Sequence, residues 1–60
     1  MYLIKKTMVK DGKKTHVLLN NEYSEILEIK HENIARKLCS VMNENSDSGH
    51  FYDVVESNSN

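Results

Sequence analysis

Apolar and polar positions change their period along this chain, and the changes mark its elements. Tyr2 to Lys10 and Thr15 to Leu19 are rich in strand-favouring residues. Between them stands Lys10-Asp11-Gly12-Lys13. Asp-Gly suits a type I′ turn, whose two central residues both need positive φ, so the pattern predicts a β-hairpin. From His31 to Asn43 the period lengthens. Ile34, Ala35, Leu38, Val41 and Met42 fall on one side of a 3.6-residue helix, with Arg36, Lys37, Ser40 and Asn43 opposite. This is one amphipathic helix with a face to bury, and a sheet is expected to receive it.

Tyr23 to Ile29 fits two conformations. As a strand it places Leu27 and Ile29 on one face and Glu28 on the other; as a helix it starts at Ser24, but Lys30 and His31 then interrupt the apolar stripe. The strand is the expectation, set off by a polar break at Asn20, Asn21 and Glu22. After the helix, residues 43–49 hold Asn, Ser, Asp and Gly, which favour turns, and Phe51 to Val55 follow as a final strand.

The expected order is β-β-β-α-β. The class is α+β: an antiparallel β-hairpin or meander, one amphipathic helix and a C-terminal strand, in a single domain over 1–56 with a disordered polar tail at 57–60. A right-handed crossover through the helix would lay the last strand parallel to the first and beside it, in the order 3-2-1-4.

That arrangement leaves an apolar surplus. The first strand sets Tyr2, Ile4 and Met8 against Leu3 and Val9; the second sets Val17 and Leu19 against Leu18; the last sets Phe51 and Val55 against Tyr52 and Val54. One helix covers one face, so Leu3, Val9, Leu18, Tyr52 and Val54 are expected together on the other. Monomers of this size avoid large open apolar faces, and the patch therefore reads as an interface, most simply that of a homodimer. The plainer alternative is a scatter of surface hydrophobes, which is common.

Length sharpens this expectation. Sixty residues bury only about 60% of the unfolded chain's surface, and chains this short lean on disulfides, metals or oligomerisation. With Cys39 as the single cysteine, an intramolecular disulfide is excluded, and that thiol is expected as a small buried hydrophobe in a reducing compartment. No apolar run approaches the ~20 residues of a membrane span, and no secretory leader opens the sequence. A cytoplasmic protein without a membrane role is expected.

The net charge of −1 hides a polarity. Residues 1–21 carry five lysines against one aspartate, a net +4, whereas residues 22–60 carry three cations against eight carboxylates, a net −5. Lys10, Lys13 and Lys14 around the hairpin turn could contact nucleic-acid phosphate. No arginine accompanies them, and Tyr2 is the one aromatic residue on the hairpin arms, so stacking is poorly served. Lysines on a strand also guard an edge against aggregation.

Other chemistry lacks its pattern. His16, His31, His50 and Cys39 show no C-x-x-C or H-x-x-x-H spacing, so no metal is expected. The run Asn43, Asn45, Asp47 misses a calcium loop, with its glycine one position late at Gly49 and Val54 at the twelfth place. Ser46, Asp47, Ser48 and His50 are neighbours in sequence without a held geometry, and a chain this short scarcely encloses a pocket of ~300 Å³. Neither an enzyme nor a cofactor is expected.

The opening YLIKKTM, the DG hairpin, VLL, EILE, the helix and NSDSG before an aromatic strand together resemble small accessory proteins of tailed bacteriophages. The resemblance covers most of the chain. It implies a non-enzymatic accessory protein, a class that includes inhibitors of host enzymes or defence systems, working in the host cytoplasm on a host protein. Two alternatives stand beside it: a small nucleic-acid-binding protein, and a dimer that sequesters a small charged ligand.

Overall fold

A computed structural model describes residues 1–46 and 49–57. The elements are β1 (Tyr2–Lys10), β2 (Lys13–Leu18), α1 (Glu32–Asn45) and β3 (His50–Glu56). They form an α+β fold, a three-stranded sheet in the order β2-β1-β3 with one helix. The hairpin forms as the Asp-Gly pair demands: φ is 52° at Asp11 and 77° at Gly12, and Lys10 pairs with Lys13 at its end.

Residues 23–29 do not make the expected strand. The Asn21 carboxamide accepts the N–H groups of Tyr23 and Glu25 at 2.8 and 3.1 Å, and Ser24 takes a positive φ of 61°. The chain thereby curls on itself, leaving two isolated antiparallel bridges, Asn20 to Ile26 and Tyr2 to Ile29.

The second bridge explains another correction. Ile29 brings the chain to the end of the sheet where β1 begins, so α1 starts there and β3 must return toward it. As a result β3 lies beside β1, as expected, but runs antiparallel to it, from Met8 opposite His50 to Tyr2 opposite Glu56. Gly49 makes the entry into β3. Its φ is +94°, its carbonyl accepts the Val9 N–H at 2.8 Å, and a Cβ there would come within 3.2 Å of the Val9 carbonyl oxygen.

The helix packs on β3 and β1. Ile4, Ala35 and Cys39 form the buried centre, with Tyr2, Leu19, Ile29, Leu38, Met42, Tyr52 and Val54 around it. The stripe expected on α1 is thus turned toward Cys39, while Ile34 and Val41 stand 57% and 46% exposed. Ser57, placed in the expected tail, donates its N–H to the Met1 carbonyl at 2.8 Å. The rest of that tail, residues 58–60, and Asp47 and Ser48 in the post-helix turn lie outside the described residues.

Candidate interaction surfaces

Cross-strand partners share a face of a sheet, so the ladder sorts the expected interface residues. Leu3 pairs with Val55, Lys5 with Leu18 and Asp53, Thr7 with His16 and Phe51, and Val9 with Lys14. Leu3, Val9 and Leu18 therefore do share the face turned away from α1. Tyr52 and Val54 do not: Val54 stands opposite the fully buried Ile4, and both pack around the core beneath the helix. Phe51 and Val55 take their places on the open face. The two sides of this strand are almost equally apolar, and a one-residue change of register exchanges them.

The open face is mixed. Phe51 is 54% exposed and Leu18 37%, and between the flanking strands stand Lys5 and Thr7. Thr7 is buried, its Oγ1 2.9 Å from His16 Nδ1.

The helix side of the sheet is also incompletely covered. Among the described residues no Cα of α1 lies within 8 Å of a Cα of β2, and all six residues of β2 are exposed. Helical geometry turns Ile34 and Val41 toward this gap, because Glu32, Arg36 and Asn43 occupy the opposite flank beside β3. Val17, on the helix side of β2, is 43% exposed. Apolar groups thus stand open on both sides of β2.

The hairpin lysines are exposed but divided. Lys10 and Lys13 pair with each other on one face, and Lys14 pairs with Val9 on the other. They can present charge around the turn, not a single flat patch.

Sequence reasoning missed a groove of about 800 Å³ between α1 and the outer edge of β3, lined by residues that include Tyr2, Cys39, Val54, Glu32, Glu44, Asp53 and Glu56. It is open to solvent. Its lining carries one cation, Arg36, held 3.4 Å from Glu32. Asn43 ties its two walls together by bonding the Tyr52 backbone through both ends of its carboxamide. No spacing pattern announces such a contact, since Asn43 reads simply as a polar helix end.

Cys39 is buried at the groove's inner wall, and burial first, then the Asp53 carboxylate, pushes its thiol up from the ordinary 9.0. A protonated buried thiol is a poor nucleophile. Among the described residues no cluster of His, Cys, Asp and Glu is grouped to hold a metal ion, and no helix is long and apolar enough to cross a membrane.

Compared with family models, curated proteins and solved structures, the chain matches none of them.

Proposed function

We propose that this chain is a non-enzymatic protein-interaction module that works as a homodimer, joined through the β2 side of its sheet. One observation carries the reading: no Cα of α1 comes within 8 Å of a Cα of β2, and every β2 residue is exposed, Val17 on one face and Leu18 on the other. Full burial of a Val or Leu side chain contributes about 1.5–3 kcal/mol, which matters in a fold whose buried hydrophobic centre is Ile4, Ala35 and Cys39. A self-complementary patch closes an assembly at two copies. The resemblance to phage accessory proteins supports a host protein as the dimer's target and inhibition as its effect.

Sedimentation equilibrium at micromolar concentration should return twice the chain mass. Leu18→Glu tests the outer face and Val17→Glu the helix side. Whichever face is in contact should give a folded monomer when charged, and Ser40→Glu on the far flank of α1 should leave the dimer intact. A wild-type monomer at hundreds of micromolar would overturn the proposal.

A further inference from the structure

The ladder decides which backbone groups of β3 face outward. Tyr2 exchanges hydrogen bonds with Ile29 at 2.7 and 2.9 Å, and Ile4 accepts the Leu19 N–H at 3.0 Å, so these residues point away from β3. By alternation Leu3, Lys5 and Thr7 serve β3, through Val55, Asp53 and Phe51. Tyr52, Val54 and Glu56 therefore turn their N–H and C=O groups to the free edge of the sheet.

That edge is already partly occupied by a mimic. The Asn43 carboxamide holds one donor and one acceptor, as a peptide unit does, and it bonds both outward groups of Tyr52. It stands where one residue of a fourth strand would stand. Beyond it, Val54 and Glu56 each turn an N–H and a C=O outward along the groove, without a partner among the described residues.

The groove also has a sign. Glu32, Glu44, Asp53 and Glu56 line it, and its one cation, Arg36, is engaged by Glu32. We propose that the groove accepts an extended, lysine-rich segment of another polypeptide, which adds to β3 as a fourth strand beyond Asn43. Main-chain bonds to Val54 and Glu56 hold the segment, and alternate lysines on the helix side reach Glu32, Glu44 and Glu56. The same carboxylates repel an acidic segment and nucleic-acid phosphate, so they select the occupant as well as attract it. This site lies across the sheet from β2 and does not depend on the two-fold contact.

The probe is a blocked hexapeptide alternating lysine and threonine, titrated into the isotope-labelled full chain and followed by amide NMR; its glutamate counterpart is the control. The lysine peptide should shift the amides of Asn43, Val54 and Glu56, weaken roughly tenfold between low and physiological salt, and weaken similarly against the pair Glu44→Gln and Glu56→Gln. A synthetic chain N-methylated at Glu56 keeps every charge and lacks one edge donor. It should bind roughly fivefold more weakly, about one hydrogen bond, with its spectrum unchanged outside the groove. Equal binding of the glutamate peptide, shifts confined to the hairpin or to the Leu18 face, or indifference to N-methylation would each overturn strand addition. The titration reads the groove whether the chain is single or paired, so the two proposals fail separately.

Discussion

The side chain of Asn43 clasps the main chain of Tyr52: Nδ2 donates to the Tyr52 carbonyl at 3.0 Å while Oδ1 accepts the Tyr52 N–H at 2.9 Å. Nine residues apart in sequence, the two close the end of α1 onto β3. Net hydrogen-bond contributions of about 0.5–1.5 kcal/mol each put the cost of Asn43→Ala, which removes two, at about 1–3 kcal/mol. Asn43→Asp keeps the acceptor but sets a carboxylate against the Tyr52 carbonyl, and it should be no better than alanine near neutral pH. Urea midpoints check both; an unchanged midpoint for Asn43→Ala would show that water replaces the clasp without loss.

Two isoleucines on the same chain should respond in opposite ways. Ile4 is fully buried at the centre of the core, so Ile4→Ala should cost about 2–5 kcal/mol. Domains this small hold roughly 3–5 kcal/mol in total, and the variant should be largely unfolded by circular dichroism. Ile34 is 57% exposed, and Ile34→Ala should stay within about 0.5 kcal/mol of wild type. A large loss at Ile34 would mean that its flank of α1 is covered in solution.

Cys39 makes stability depend on alkaline pH. Burial and the Asp53 carboxylate raise its folded thiol above the ordinary 9.0, so above that value the unfolded chain releases a proton that the native chain keeps. Its contribution is complete below the unfolded value and is lost as pH rises toward the raised one. Urea midpoints taken between about pH 8 and pH 10 should fall more steeply for wild type than for Cys39→Ala. Parallel profiles would contradict the assignment. A thiol-disulfide reagent should also react slowly with the folded chain and promptly in urea.

The lysine hairpin should not bind DNA or RNA at physiological salt. Lys10 and Lys13 lie on one face and Lys14 on the other, and the remainder of the chain is acidic. Filter binding or fluorescence anisotropy across salt concentrations tests this. Micromolar binding by wild type, lost in the Lys10, Lys13 and Lys14 triple alanine variant with roughly one unit of salt slope per contact, would restore the nucleic-acid alternative.

How much of this was legible in the sequence depended on whether one local rule acted alone. The hairpin was, because Asp11 and Gly12 satisfy a turn that few other pairs allow. The helix was, because its apolar period is sustained from Ile34 to Met42, although its rotation toward Cys39 reflects where β3 lies and not the stripe itself. At 23–29 a two-residue alternation was outweighed by one side chain, Asn21, whose carboxamide closes a turn that the alternation cannot register. The face of β3 was unreadable for a different reason: Phe51 with Val55 and Tyr52 with Val54 are equivalent by pattern, and the choice is made by a core forty-seven or more positions away in sequence, at Ile4. The α1–β3 groove arises from the same long-range placement.

The central position of β1 has a consequence for how the molecule comes into being. β1 is flanked by β2, which follows it at once through a tight turn, and by β3, which follows only after α1, so that Leu3 waits for Val55. Closing so long a loop is entropically costly and slows folding. During synthesis the hairpin can form early, but one side of its inner strand then stays without a partner until residues 50–56 have emerged. In that interval the β1 backbone is an open template for pairing with another chain, and the arrival of β3 closes it.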